Sequence, residues 1–200
     1  MRHLRRVDAV LGRLIDECGP YPPRSPGDPY EALIRSIMFQ QLAGAAASAI
    51  LGRLLGLYGA DERYPTPEKL LGTTDEQFRA AGVSRQKASY LRDLAQHLQD
   101  GSLDLGALPA SDDTEVIEQL TVVRGVGVWT AQMFLMFQLG RLDVLPVEDL
   151  GVRRGMQVAY GLEESPSPAE ATAIGAPWSP YRSVGAWYMW RAADIRTPGT

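Results

Sequence analysis

A chain of 200 residues with 45% apolar content is long enough to bury a sizeable core, which excludes a disordered or fibrous protein. No apolar run approaches the roughly 18 residues that cross a bilayer, and the amphipathic start MRHLRRVDAVLGRLIDECG lacks a signal-peptide core, so a soluble, intracellular protein without membrane contact is expected. The single Cys18 excludes an internal disulfide, a protein-bound iron–sulfur cluster and a cysteine-based zinc site, and a net charge of −4 runs against the basic footprint of most nucleic-acid binders.

Apolar residues recur at three- and four-residue spacing nearly throughout, so an all-α fold is expected. A first helix is read over residues 2–17, closed by Gly19-Pro20 and followed by a proline-rich extended linker over residues 21–29. A helix from Tyr30 to Phe39 breaks around Gln40-Gln41-Leu42-Ala43-Gly44 and resumes from Ala45 to Tyr58. Shorter helices fit 67–72 and 74–81. Ser84 caps a helix with Ala88, Leu91, Leu94 and Leu98 on one stripe, and Asp112-x-x-Glu115 is a capping box that opens a helix through Val116, Ile117 and Leu120. His3 and His97 fall on expected solvent faces, and Arg2, Arg5, Arg6, Arg153 and Arg154 cluster in a way that solvated faces also produce.

The informative stretch is Leu120 to Ala131. It sets Gly125-x-Gly127 between two helices, so that the amides of Val126, Gly127 and Val128 face outward where a helix dipole favours an anion. A Gly-x-Gly turn also serves simply to reverse the chain between packed helices. Further on, Asp149 stands just after Pro146 at an expected helix N-terminus, where an aspartate is commonly a plain cap, and Glu148 is its neighbouring rival.

The segment VRGVGVWTA resembles the hairpin of the helix-hairpin-helix DNA glycosylase superfamily, whose pattern is Leu/Phe-Pro-Gly-Val/Ile-Gly-x-x-Thr-Ala, and VLPVEDLGVRRG follows it at the family's spacing. LIRSIMFQQLAGAAASAI and PYRSVGAWYMWRAAD are similar to the wedge region and C-terminal helix of the 3-methyladenine DNA glycosylase II group. Two departures stand out: Arg124 replaces the usual proline, and Gln41 occupies a position that bacterial relatives often give to an apolar wedge residue.

The resemblance implies a two-lobed helical fold with a cleft, without the additional N-terminal β domain of larger relatives. One lobe would comprise residues 1–28 and 135–200 and carry the catalytic aspartate; the other, 29–134, would carry the wedge loop and the hairpin. It implies a monofunctional glycosylase that flips alkylated bases (3-methyladenine or 7-methylguanine type) out of double-stranded DNA and hydrolyses them off, acting as a monomer. Asp149 takes the catalytic place; Trp129, Trp190, Met133 and Leu150 would line the base pocket, with Trp187 a further aromatic candidate. Gly125, Val126, Gly127, Val128 and Thr130 would bind DNA, and Gln41 or Leu42 would fill the vacated stack. The carbonyls of Thr121, Val123 and Val126 would hold a monovalent cation, sodium or potassium; no organic cofactor is implied. Trp129 fills the position of the lysine used by lyase members, and Lys69 and Lys87, the two lysines of the chain, lie far upstream of the hairpin in sequence, so lyase activity is not expected. The alternative is a non-catalytic helix-hairpin-helix DNA-binding module.

Overall fold

Small polar caps, prolines and glycines cut this chain into helices at nearly every turn. A computed structural model describes residues 1–22, 27–59 and 63–195, and within them every regular element is helical. The α-helices are α1 (Arg2–Val7), α2 (Ala9–Cys18), α3 (Pro29–Phe39), α4 (Gly44–Gly56), α5 (Pro67–Gly72), α6 (Asp75–Ala81), α7 (Arg85–Gln99), α8 (Asp113–Thr121), α9 (Val128–Phe137), α10 (Leu150–Tyr160), α11 (Pro168–Gly175) and α12 (Arg182–Ile195). No helix is long and apolar enough to cross a membrane among the described residues.

The chain divides into two compact units, Met1–Ser25 with Leu135–Thr200, and Pro26–Phe134. The division falls inside α9, which is continuous.

In the unit formed by the two chain ends, α10 and α12 make the most extensive helix pair. Gly155 is the reason: a Cβ there would lie 1.9 Å from the carbonyl oxygen of Met189, so only glycine lets the two backbones meet. Val152, Met156, Tyr188 and Met189 are buried along this pair. The expected single helix over 2–17 is instead two, because Asp8 leaves the helical conformation (φ −149°, ψ 109°) and its carboxylate accepts the N–H groups of Val10 and Leu11. The same carboxylate accepts the Tyr160 hydroxyl and, at 2.8 Å, the indole N–H of Trp178. Asp8 thereby ties α2 to α10 and to the fully buried Trp178.

In the other unit, α3, α5 and α6 pack on α7, and Leu33, Ile34, Ile37, Leu70, Phe78, Leu91 and Leu94 are buried. Leu98, expected on the buried stripe of α7, is only half-buried, and Ala95 takes its place in the core. The expected capping boxes of α8 (Asp112 with Glu115) and a further one on α6 (Thr74 with Gln77) are formed. The linker expected over 21–29 ends at Asp28, which caps α3, with Pro29 inside the first turn; Pro23–Pro26 lie outside the described residues. His3 and His97 are half-buried and bonded, not on free solvent faces: His3 Nε2 lies 3.3 Å from the Pro177 carbonyl, and His97 Nδ1 2.6 Å from the Ser102 hydroxyl.

Candidate active site

Asp149 is the N-cap of α10, and this local role fixes its side chain. Its Oδ1 accepts the N–H of Val152 at 2.8 Å and the indole N–H of Trp190, also at 2.8 Å. Two donors on one oxygen hold the carboxylate in a single orientation, and the N-terminus of a helix favours its negative charge. Only 9% of Asp149 is exposed, whereas Glu148 beside it lies at the surface. Trp190 reaches the carboxylate because Gly151 has no side chain: a Cβ would stand 2.9 Å from Trp190 Cδ1 and 3.0 Å from Asp149 Oδ1. Phe137 packs against the indole, ring centroids 5.8 Å apart. Leu150, the first residue of α10, is 73% exposed. Trp187 packs edge-on against Tyr21 and Tyr188.

The hairpin lies in the other unit. Gly125 takes the left-handed conformation (φ +84°) and sits on Tyr90, so that a Cβ would come within 2.2 Å of the ring. Its carbonyl accepts the Gln40 side-chain amide at 2.7 Å, and Lys87 Nζ donates to the Met38 carbonyl at 2.6 Å, so the C-terminal end of α3, where the loop begins, is held by both. Arg124 is held by Asp93 through backbone N–H and Nε, both at 2.7 Å. The Val126 amide, expected to face an anion, is turned inward: it donates to the Val123 carbonyl at 3.0 Å, and Val126 is buried. Gly127 precedes α9, whose Ala131 N–H donates to the Gly127 carbonyl at 3.0 Å. Val128 is exposed there, and Thr130 is buried.

Gln41 is the sole non-glycine residue with positive φ (56°) among the described residues, at the loop where the wedge is expected, and the neighbouring Leu42 is exposed. Gln41 lines an open hollow of about 450 Å³ with Ser36, Phe39, Gln40, Trp129 and Thr130. Met133 is half-buried further along α9. The structure therefore brings together Asp149 with Trp190 in one unit and Trp129 with Gln41 in the other.

Sequence reading missed Gln40, Tyr90 and Asp93, which hold the hairpin, and Phe137 and Gly151, which support Trp190. Arg124 in place of a proline was the one available signal, since an arginine at a tight turn invites a carboxylate partner.

The chain matches the model of the HhH-GPD superfamily base excision DNA repair proteins over residues 34–180. It is 33% identical to the Schizosaccharomyces pombe 3-methyladenine DNA glycosylase Mag1, solved in complex with abasic DNA, covering 99% of this chain and 98% of that one with a TM-score of 0.86. A DNA-3-methyladenine glycosidase from Bacillus halodurans is 40% identical over 96% of this chain and 87% of its own, with a TM-score of 0.84. The alkylbase DNA glycosidase-like protein mag2 of S. pombe is 28% identical over 99% of this chain and 94% of its own length.

Proposed function

Because the chain belongs to the HhH-GPD superfamily of base excision DNA repair proteins, we propose that it is a DNA glycosylase that flips alkylated purines out of double-stranded DNA and hydrolyses their N-glycosidic bonds, with Asp149 as the catalytic carboxylate. The observation that carries this reading is the buried Asp149 carboxylate, aimed by Val152 and Trp190 at the start of α10. A plain cap would need the Val152 N–H alone; the second donor, the Trp190 indole N–H, is what favours this reading over a non-catalytic DNA-binding module.

Breaking the bond sends its electron pair to the purine nitrogen and leaves positive charge on the sugar ring. A fixed carboxylate stabilises that charge without reorganising, then takes a proton as water adds to C1′. An alkylated purine is cationic, so it leaves as a neutral base and needs no general acid. The same cationic ring is attracted to indole faces, which supports Trp129 as a base contact. Trp190 has its N–H committed to Asp149, so its first duty is positioning. The main-chain amides around Gly127 would grip a backbone phosphate, and Gln41 or Leu42 would occupy the vacated stack.

The carbonyls of Thr121, Val123 and Val126 would hold a monovalent cation at the hairpin. A set of neutral carbonyls alone brings no negative charge to offset a divalent ion and suits a singly charged one better. The Val123 oxygen already accepts the Val126 N–H and has one lone pair left for an ion. Such an ion would stiffen the loop next to a bound phosphate.

The test is release of free bases from methylated DNA, followed by chromatography. Asp149→Asn retains a good helix cap and is expected to bind DNA within about threefold of wild type, while base release falls by about 10²- to 10³-fold. Activity retained in Asp149→Asn but lost in Glu148→Gln would overturn the assignment.

No strand cleavage is expected. Burial lowers the Lys87 ammonium from its ordinary value, the direction a nucleophilic amine needs, but its Nζ is engaged by the Met38 carbonyl. The product should be abasic DNA that survives until heat or alkali treatment. A borohydride-trapped adduct that disappears in Lys87→Ala or Lys69→Ala would contradict this.

A further inference from the structure

Arg124 stands where the superfamily pattern quoted above has proline. A proline stiffens a turn with its ring and donates no N–H. Here the opposite chemistry is used: the Arg124 N–H donates to Asp93 Oδ2 and its Nε to Asp93 Oδ1, each at 2.7 Å. One carboxylate on α7 thus holds a single hairpin residue by both backbone and side chain. The anchoring side is sheltered, with the Asp93 side chain 16% exposed against 64% for Arg124. Tyr90, three residues earlier on α7, presses on Gly125, the next residue of the turn. Both contacts come from one face of α7, and both act on the loop that presents Gly127.

We propose that Asp93 is a positioning residue for DNA-backbone binding, fixing Arg124 and through it the hairpin loop, so that an ion pair does in this chain what a proline ring does in the common pattern. The inference rests on the reading of the hairpin as the phosphate site. Asp93 itself touches no DNA in this scheme. It acts by keeping the amides after Gly125 preorganised, and a loosened loop must be ordered again each time DNA binds.

The test uses the full chain and a duplex carrying a tetrahydrofuran abasic-site analogue. Asp93→Asn is expected to weaken binding by about tenfold and Arg124→Ala, which keeps the backbone N–H bond, by somewhat less; the double variant should be no weaker than Asp93→Asn alone, because the Nε bond that Arg124→Ala removes ends on the same carboxylate. Base release at saturating methylated DNA should stay within about twofold of wild type while the half-saturating DNA concentration rises. A merely destabilised protein would show the reverse, a smaller active fraction at unchanged half-saturation. Asp93→Glu should recover part of the lost affinity.

Wild-type affinity in a folded Asp93→Asn variant would overturn the proposal. So would weakening in Arg124→Ala without weakening in Asp93→Asn, since Arg124 would then be a direct phosphate ligand. If Asp93→Asn melts below the assay temperature, the salt dependence of Arg124→Ala decides: an unchanged slope supports positioning, and a fall of about 0.9 in the slope of log affinity against log salt overturns it. Failure of the hairpin reading itself looks different, because Gly127→Ala would then bind DNA as tightly as wild type.

Discussion

Gly125 and Gly127 stand two residues apart in one turn and answer to different constraints. Gly125 is demanded by the fold, through its positive φ and the Tyr90 ring that would meet a Cβ at 2.2 Å. Gly127 has an ordinary φ, and a Cβ added there meets nothing within 4 Å, so the chain's own packing does not require glycine at this position. Its requirement comes from outside, if a phosphate approaches the backbone. Gly125→Ala is therefore expected to lose about 3 kcal/mol of stability from the left-handed conformation and the overpacked ring together. Gly127→Ala should unfold within about 0.5 kcal/mol of wild type, and yet bind duplex DNA about tenfold or more weakly, because the methyl group occupies the approach path of a backbone phosphate. Urea unfolding and fluorescence anisotropy separate the two effects, and undiminished binding by Gly127→Ala would remove the hairpin from the DNA interface. In sequence the two glycines are indistinguishable, since the pattern Gly-x-Gly carries no sign of what lies beneath each.

Helices were legible where their signals are local and obscure where a distant group decides. The capping box Asp112–Glu115, the stop at Gly19 and the break at Gln40–Gly44 are all set by neighbours a few residues away. The break at Asp8 is also capped locally, by the N–H groups of Val10 and Leu11, but the ties to Tyr160 and Trp178 that secure the aspartate in the fold come from more than 150 positions away and leave no local signal. The motif that points to Asp149 is local, whereas its partner Trp190, 41 residues on, is expected from sequence in the base pocket and not as the donor that anchors this carboxylate. Asp143 is another such long-range fastener: it accepts the Arg182 N–H at 3.2 Å, its Nε at 2.8 Å and Nη2 at 2.9 Å, and the Ser179 hydroxyl at 2.9 Å, securing the start of α12. The Arg182 side-chain bonds hold the Asp143 carboxyl below its ordinary value, outweighing the opposing effect of burial. A carboxyl with a depressed folded pKa contributes stability that is present above its unfolded pKa and is lost as pH falls through the folded one. Asp143→Asn should thus cost about 1 kcal/mol near neutral pH, a modest figure because the pair is still partly solvated. That difference should shrink as pH falls below about 4. A gap between variant and wild type that persisted unchanged at low pH would show that shape, not charge, matters at Asp143.

Charge is the property of the whole molecule that sits least comfortably with DNA. A protein with a net charge of −4 cannot rely on general attraction to a polyanion, so binding must come from a few directed contacts. In the proposed reading the hairpin would supply such contacts without side-chain charge, through main-chain amides around Gly127, while Arg124 has its charge already shared with Asp93. Neutral amides grip a phosphate but contribute less to counterion release than lysines and arginines would. The expected consequence is a shallow salt dependence: about two to five neutralised phosphates, giving a slope of log affinity against log salt of about −2 to −4.5. Titrations of a tetrahydrofuran-containing duplex between about 50 and 200 mM KCl cover the range where this slope is readily measured. The Asp149→Asn variant is the form to titrate alongside wild type, because the carboxylate is proposed to act on transition-state charge and its removal should leave the slope almost unchanged. A slope near −9, equivalent to about ten phosphates, would mean that a broad cationic surface carries the binding and that the backbone amides of the hairpin are secondary.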